Sequence, residues 1–424
     1  MCDRAVHRSS FHIAAGSIAP QNGFGLGPAF VSHYTPNESW RLNWSVDGVG
    51  STNGSWRAGG YIKFIHTPVV SIQVVTAPSS TKPGEKKAKP KLAIHPYTVF
   101  NLYAQSISLN KLFFFGEGPD STAAGRSVFG MTETIVGGDV IKPVTEWPVI
   151  IKLNLSLVGE INGRFADLRG NHGESSLSIE QVYTEAMAPG LANQPGFIQL
   201  GEGVRIKPVL FDDYLQLNYL ATFQQFIAPS DSHYSFLRWT VDLGHNFNLY
   251  GHTQSGPRDT NGPNECAPAL GAEKCAPVSY SRNLDGTIGV RLLLSESMTS
   301  GSSVVPFFFQ PTLGGDINGS PALSSYQDYR FRAPNVLLLE EKFEHSIWGP
   351  LGFTFEADQG KVALTRGDIA FDHLKHSFAT GVTVRAGGLP AIFVMFAWGG
   401  NEGNHTIFNM NTSLLGGSSR PRLD

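Results

Sequence analysis

The sequence has 424 residues and a formal net charge of −3 at pH 7, which argues against a dedicated nucleic-acid binder. Charged residues make up 16%, below the roughly 25% typical of soluble domains, whereas 47 glycines and 28 phenylalanines suit short strands, tight turns and an apolar outer surface. The longest apolar run, 391–398, is far shorter than the roughly 18 residues of a helical membrane span. This length fits two or three soluble domains or one large closed sheet.

Residues 1–22 show no clear pattern and are interpreted as an irregular lead-in. The segment from Met1 to Ala5 lacks the apolar core of a signal peptide, although a membrane barrel has to be exported. Three explanations stay open. The numbering starts after a removed signal, the start is truncated or misassigned, or the protein is cytosolic.

From residue 23 onward, apolar and polar residues alternate with a period of two, which is typical of β-strands. In one such segment Trp40 and Trp44 share a face, whereas Arg41 and Asp47 share the other. No long helical pattern interrupts the alternation. About sixteen strands are predicted, at 23–30, 40–47, 56–66, 97–109, 126–142, 151–157, 197–207, 215–219, 237–243, 287–297, 304–312, 335–343, 351–358, 378–385, 390–398 and 405–413.

Two polar loops separate some of these strands. The segment 79–91 carries five lysines and two prolines and is interpreted as a solvated loop, with a patch for lipopolysaccharide phosphate or a partner as the alternative. The segment 251–286 contains Cys266 and Cys275, whose spacing suits a disulfide. Such a bond implies an oxidising compartment such as the periplasm or cell surface. Two unpaired thiols are the alternative.

Alternation alone does not separate a soluble sandwich, whose apolar face meets a second sheet, from a membrane barrel, whose apolar face meets lipid. The even strand count, the Trp and Phe residues on the apolar face and the long loops favour the barrel. We therefore predict an all-β fold, a transmembrane antiparallel β-barrel at 23–415 with a long loop at about 314–334 and a tail at 416–424. The loop 161–195 falls on the other side from the remaining long loops, so one strand is miscounted or this loop is an unusual periplasmic one.

The sequence contains no motif that indicates catalysis. The segment 173–177 lacks the second glycine of a nucleophile elbow, and there is no phosphate loop. Asp372, His373 and His376 form the densest polar cluster, but a metal site needs further ligands, and a turn is the simpler interpretation. We expect no enzymatic activity, no catalytic residue, no metal site and no cofactor.

The last quarter of the chain, from residue 307, carries several short motifs. They are Leu313-Gly314-Gly315, Ser324-Ser325-Tyr326, Tyr329-Arg330-Phe331-Arg332, the set Gly352, Phe355, Asp358 and Gly360, and Gly381-Val382-Thr383-Val384-Arg385. In these motifs the chain resembles the bacterial surface antigen superfamily of outer-membrane barrels, that of the BamA-type assembly factors and two-partner secretion transporters. The segment 114–121 looks like an upstream motif of the same family, and the rest of the chain resembles it loosely.

The resemblance implies a barrel whose long loop folds back into the lumen, where an arginine at the loop tip pairs with an inward acidic residue. A charge in a narrow, partly desolvated lumen needs such a partner. Ser324 and Ser325 stand where the family has arginine and glycine. Ordinary lining of the lumen is therefore our interpretation of these residues, with Arg330 or Arg332 in the role of that arginine as the alternative. The implied site comprises Ser324, Ser325, Tyr326, Arg330, Arg332, Glu356, Asp358, Gly360 and Arg385.

Family assembly factors carry periplasmic POTRA domains before the barrel, and a lead-in of 22 residues is too short for a compact domain. The first hypothesis is therefore a barrel without POTRA domains in the bacterial cell outer membrane. It would insert or translocate proteins or lipids, contact outer-membrane lipids and lipopolysaccharide, and use a periplasmic or outer-membrane protein partner. The second hypothesis is a passive channel, anchor or scaffold barrel within an outer-membrane complex. The third is a soluble β protein or enzyme.

Overall fold

A computed structural model describes residues 6–67, 97–144, 153–171, 173–211, 214–257, 279–317, 320–386 and 389–410. The predicted disulfide Cys266–Cys275 and the predicted tail at 416–424 lie outside these residues. The described chain is almost entirely β-sheet, with one short α-helix, Ile179–Val182 (α1), and a few 3-10 turns. In the described ranges, no helix is long and apolar enough to cross a membrane.

Sixteen wall strands follow one another as an antiparallel meander, and Val209–Leu210 only prolongs the eighth strand along the ninth. They are β1 Val6–Ser17, β2 Phe24–Asn37, β3 Trp40–Ser51, β4 Trp56–His66, β5 Thr98–Phe114, β6 Ser127–Pro143, β7 Leu155–Arg169, β8 Phe197–Ile206, β9 Leu215–Ile227, β10 Phe236–Pro257, β11 Ser279–Met298, β12 Asn335–Trp348, β13 Leu351–Ala363, β14 Lys375–Ala386, β15 Leu389–Trp398 and β16 His405–Met410.

Each strand from β1 to β15 forms a hydrogen-bonded ladder with the next. Cα atoms of β16 approach those of β1 within 8 Å, which brings the two ends of the sheet together. The predicted all-β, transmembrane antiparallel barrel of about sixteen strands is therefore confirmed. Ladders between neighbouring strands suit a membrane because they satisfy the backbone polar groups that lipid cannot.

Two errors in the predicted strand list cancel in the total. The lead-in is not irregular throughout, since β1 pairs along its whole length with β2, and the barrel therefore begins before residue 23. The predicted strand at 304–312 is wrong, because its centre forms a 3-10 turn, Phe307–Phe309. In addition, the first part of the predicted loop at 161–195, residues 161–169, belongs to β7. With these corrections, the connections after β7 and after β11 lie at the same end of the barrel.

The alternation in the sequence assigns each wall side chain to the lumen or to the lipid-facing surface. On β10, Arg238 is buried inside, whereas Leu237 is exposed outside. On β13, Glu356 and Asp358 are buried and Phe355 is exposed. The connections after odd-numbered strands all lie at one end, which we call the plugged end. The even-numbered strands run towards the opposite end.

Candidate functional site

The connection between β11 and β12, residues 299–334, folds from the plugged end into the lumen, and we call it the inner loop. Its residues 322–326 and 329–333 are buried. The predicted long loop inside the lumen is thus confirmed, although it begins well before residue 314. Four sets of contacts hold it in place: an aromatic turn, a short hairpin, a buried tip and an arginine.

The aromatic turn, Phe307–Phe309, fills the lumen near the plugged end. Its rings meet Phe114 of β5, Phe129 of β6, Phe197 of β8, Phe226 of β9 and Phe236 of β10, at centroid distances of 5.0, 5.3, 4.8, 5.5 and 6.4 Å. All three side chains of the turn are buried. Burying a phenylalanine contributes about 1.5–3 kcal/mol, so this turn is a strong anchor. The run has no polar face to place against water, which explains why it does not form a wall strand.

Two buried arginines of the wall support this turn. The guanidinium of Arg164 lies 4.9 Å from the ring centroid of Phe309, in cation–π geometry. The same group forms an ion pair with Glu133 on the neighbouring strand, with Nε to Oε1 at 2.9 Å. Arg238 donates a hydrogen bond to the backbone carbonyl of Phe309. Because each buried charge has a partner, the wall carries charge at this depth without an isolated ion.

A short hairpin follows, in which Thr312–Leu313 pairs with Phe331–Arg332. Gly314 and Gly315 adopt φ angles of 115° and 74°, in the left-handed region that side chains disfavour. A Cβ atom at Gly314 would lie 2.5 Å from the backbone oxygen of Gln327. The Leu-Gly-Gly motif therefore turns the chain where another strand of the loop passes too closely for a side chain.

The tip of the inner loop is bound through its backbone to the lumen face of β13 and β14. The Leu323 N–H donates to Asp358 Oδ2 at 3.0 Å, and the Ser324 N–H also faces this carboxylate. The Ser325 N–H donates to Ser377 Oγ at 2.8 Å. All three tip residues are fully buried. The inward carboxylate thus binds the tip through amide donors, which a serine-containing tip supplies as well as any other.

Gly360 makes room for the loop on the same strand as Asp358. A Cβ atom at Gly360 would lie 2.9 Å from Leu313 Cδ1 and 3.2 Å from Leu338 Cδ1. The ring of Tyr326 packs edge-on against Phe331, with centroids 5.0 Å apart. The Asp-x-Gly motif therefore provides an acceptor and a recess on one lumen-facing strip.

Arg330 joins the inner loop to two other connections at the plugged end. Its guanidinium binds both carboxylate oxygens of Glu402, with Nε at 2.8 Å from each, in the β15–β16 connection. It also donates to Ser121 in the β5–β6 connection, to Oγ at 2.9 Å and to the backbone carbonyl at 2.7 Å. The ring of Phe331 lies under it at 4.5 Å. Arg330 is 2% exposed, so removing one of its partners would leave a buried, unpaired charge at a large cost.

A second polar contact lies at the base of the loop. Gln310 Nε2 donates to Glu117 Oε1 at 2.6 Å and to the Val305 carbonyl at 3.1 Å. Burial raises the pKa of Glu117 to about 7, although the Gln310 hydrogen bond and the charge of Arg332 oppose this shift. Burial also lowers the pKa of Arg332, to about 10, and its Nη1 donates to the Phe307 carbonyl at 2.5 Å.

Below the loop, towards the opposite end, the lumen contains a cavity of about 750 Å³ with charged walls. Arg291 bridges Asp242 and Glu340 on its two neighbouring strands, at 2.9 and 2.6 Å. Lys342 lies 3.1 Å from Glu356 on the next strand. The lumen is thus blocked by the loop near one end and polar beneath it.

The structure brings together most residues of the predicted site, but in different roles. The alternative in which Arg330 takes the role of the tip arginine against an inward acidic residue of the wall does not describe the contacts of this side chain. Arg330 pairs with Glu402 instead, and backbone amides occupy Asp358. The backbone of Arg385 belongs to β14, and its side chain lies outside the described part of the chain.

The sequence analysis missed several residues that hold the loop, namely Glu117, Glu133, Arg164, Gln310, Ser377 and Glu402. Mid-strand charges on the polar face were a usable signal for Glu133 and Arg164. A residue such as Glu402, in a connection far along the chain from Arg330, carries no local signal. Among the described residues, no three or more His, Cys, Asp or Glu side chains are placed to hold a metal ion.

Together these features define the class of protein, a sixteen-stranded membrane barrel whose lumen is occupied by its own inner loop. No protein-family model matches the sequence, and no curated protein matches it either. Similar folds occur among solved structures. CdiB from Acinetobacter baumannii has a TM-score of 0.49 and 10% identity, covering 95% of this chain and 59% of the CdiB chain.

A structure of BamA from Haemophilus ducreyi lacking POTRA domains 1–3 has a TM-score of 0.48 and 9% identity, covering 96% of this chain and 69% of that one. A likeness at this identity concerns the fold alone. The assignment of the fold class rests on the ladders and the inner loop of this chain.

Proposed function

We propose that this chain is a bacterial outer-membrane barrel that inserts or translocates proteins or lipids together with a partner protein. The proposal assigns it no enzymatic reaction. The observation that carries it is the junction between β1 and β16. In the described residues no ladder joins these two strands, whereas every other pair of neighbouring wall strands is hydrogen-bonded.

The described part of β1 presents an edge of 12 residues at this junction. On β1, Phe11 and Ile13 are 82% and 77% exposed. Unpaired backbone groups in hydrocarbon cost several kcal/mol each, and an open strand edge is a template for adding another strand. A β-segment of a client protein fits this edge because it supplies both hydrogen bonds and an alternating apolar face.

The state of the lumen supports action at the wall over steady flow through the pore. The inner loop is tied to β13 by Asp358 and to two connections by Arg330. A passive channel needs a continuous water path, which this loop and its phenylalanines obstruct. An anchor or scaffold within an outer-membrane complex is the second candidate, and the many ties of the inner loop favour it because they make the barrel rigid.

The partner is expected to dock at the opposite end of the barrel. The charged cavity lies on that side, lined there by the turn residues Asn154, Lys207 and Pro208. Outer-membrane lipids and lipopolysaccharide are expected to contact the outward wall, whose exposed residues are largely apolar. These contacts belong to the proposal and are tested by the proteins and lipids that co-purify after mild detergent extraction.

Depletion of the protein in its native cell tests the proposal directly. We expect the amounts of other outer-membrane proteins or of lipopolysaccharide to fall within a few generations, and a wild-type copy to restore them. A copy with Asp358→Ala is expected to restore them poorly, whereas Asp372→Ala, in the exposed β13–β14 connection, is the matched control. Unchanged levels of outer-membrane proteins and lipids after depletion would contradict a role in assembly and would leave the role of an anchor or scaffold.

Planar bilayers distinguish the channel form of the alternative. We expect the purified barrel to show low and intermittent conductance. Steady, ion-selective conductance of the wild-type protein would contradict the blocked lumen and favour a passive channel.

A further inference from the structure

The inner loop bridges the β1–β16 junction at the plugged end. Within the described strands no hydrogen-bonded ladder spans this junction, although Cα atoms of the two strands approach within 8 Å. At the plugged end, β1 is followed by the β1–β2 connection, 18–23, and β16 is preceded by the β15–β16 connection, 399–404. Both connections contact one short part of the inner loop, residues 326–330, which we call the bridging segment.

On the side of β16, the bridging segment holds the β15–β16 connection through consecutive residues of that connection. Arg330 binds both carboxylate oxygens of Glu402, shortly before β16 begins. The backbone N–H of Asn401 faces the hydroxyl oxygen of Tyr326. A Cβ atom at Gly400 would lie 2.8 Å from Cζ of Tyr326, so glycine lets the connection lie directly on this ring. The start of β16 is therefore fixed to the inner loop.

On the side of β1, the bridging segment binds the β1–β2 connection. Gln21 Nε2 donates to Asp328 Oδ2 at 2.6 Å. The next residue, Asn22, is fully buried and joins this connection to the neighbouring wall. Its side-chain amide donates to the carbonyl of Lys111 at 2.7 Å and accepts from the hydroxyl of Ser55 at 2.8 Å. Asp328 therefore holds the end of β1 through a connection that the wall itself keeps in place.

The two attachments lie close together on the bridging segment. Asp328 and Arg330 are two residues apart, so at most about 7 Å of backbone separates them. Such a short piece of chain cannot lengthen, and it keeps the ends of β1 and β16 side by side while both attachments hold. A further strand between β1 and β16 needs one more strand spacing, about 4.8 Å. The junction therefore widens at the plugged end only after one attachment has been released.

We propose that the bridging segment is a latch across the β1–β16 junction, and that β16 is the strand it releases. The inference rests on the proposed function and deepens it, because a junction that adds a client strand has to widen first. When the latch opens, β1 keeps its anchor at Asn22, whereas β16, among the described contacts, relies on its ladder with β15. Breaking the pair of Arg330 and Glu402 frees β16, while the tip of the inner loop stays docked on Asp358.

Distances between spin labels across the junction test the latch in the full chain, held in lipid nanodiscs. The labels are attached to Ser17→Cys, at the end of β1, and Thr406→Cys, near the start of β16, and both positions are exposed. Serine replaces the native cysteines, Cys2, Cys266 and Cys275. With the latch intact we expect one short separation. Glu402→Gln is expected to add a population whose separation is longer by at least one strand spacing, about 4.8 Å.

Glu174→Gln is the matched control for the carboxylate. Glu174 forms an ion pair with Lys111, at 3.0 Å, in the β7–β8 connection at the same end of the barrel but away from the junction. We expect this variant to keep the single short separation. Equal widening with Glu174→Gln and Glu402→Gln would show a general loosening of the plugged end and would overturn the latch.

The side of β1 provides a second pair of variants. Gln21→Glu sets a carboxylate against that of Asp328 and is expected to widen the junction, whereas Gln21→Lys keeps the attraction and should leave it narrow. Because Gln21 is exposed, this pair keeps the test decisive even if Glu402→Gln fails to fold. A single short separation with Gln21→Glu and with Glu402→Gln would refute the proposal.

These distances are measured without a client, so the latch and the proposed function fail separately. Unchanged distances overturn the latch and leave the proposed function standing. Unchanged levels of outer-membrane proteins and lipids after depletion contradict that function and leave the latch.

Discussion

Replacing Asp358 with alanine removes the acceptor that holds the tip of the inner loop. One backbone hydrogen bond, from Leu323 N–H at 3.0 Å, is lost outright, and the N–H of Ser324 loses the carboxylate it faces. Leaving a buried donor unsatisfied costs about 1–3 kcal/mol, and bonds to charged acceptors lie at the upper end of that range. Relief of repulsion from the nearby Glu340 and Glu356 offsets a part. We therefore expect docking of the tip to weaken by about 2–3 kcal/mol.

The assay is the rate at which an aqueous maleimide labels a cysteine at the tip. Ser325 suits it, because this residue is fully buried and its hydroxyl has no hydrogen-bond partner within the described chain, so Ser325→Cys is nearly isosteric. A change of 1.4 kcal/mol alters an equilibrium tenfold. Labelling is therefore expected to be about 30- to 140-fold faster with Asp358→Ala than without it.

The control is Asp372→Ala, which removes an equally charged residue from a surface ion pair with Lys361 at 2.7 Å. Such a pair is worth at most about 1 kcal/mol, so labelling at Ser325→Cys should change little. If both alanine variants label at the same rate, Asp358 does not hold the tip. If Ser325→Cys, with Asp358 intact, already labels at the rate of a free thiol, the inner loop does not remain in the lumen.

Three further outcomes follow from the same contacts. Arg330→Lys keeps the charge but loses the bidentate geometry, so we expect faster proteolysis of the β15–β16 connection and a loss of about 2–4 kcal/mol in docking of the loop. Gly314→Ala is expected to lower the melting temperature measurably, whereas Gly301→Ala, also at positive φ but with nothing within 4 Å of its Cβ, should cost far less. The pKa of Glu117 is raised in the folded protein, so the contribution of this residue to the free energy of unfolding is complete below about pH 4.5 and is lost as the pH rises through about 7. The melting temperature should therefore fall between these pH values, and Glu117→Gln should remove this pH dependence.

Local pattern was enough to determine the wall of this barrel. A strand with a period of two assigns each side chain to a face, so Trp40 and Arg41 could be separated without any knowledge of their neighbours. The lumen position of Glu356 and Asp358 follows in the same way from their even spacing. The first strand was missed because its serine, histidine, alanine and glycine residues give weak alternation, and it is defined by its ladder with β2.

Tertiary structure decided how the lumen is filled. The run Phe307–Phe309 is compatible with a buried strand or a buried turn, and only the ring of phenylalanines from five wall strands selects the turn. The resemblance suggested a side-chain pair at the loop tip. The structure shows backbone amides at Asp358, which no side-chain pattern can reveal, because every residue but proline carries the same donor.

The sequence by itself therefore determined the fold class, the approximate number of strands and the face of each charged residue, since these depend on periods of two along the chain. It did not determine the partners of those charges. Arg330 and Glu402 meet because the barrel brings the β11–β12 and β15–β16 connections to the same end. Such contacts depend on how the whole sheet curves round its lumen, so they are properties of the tertiary structure alone.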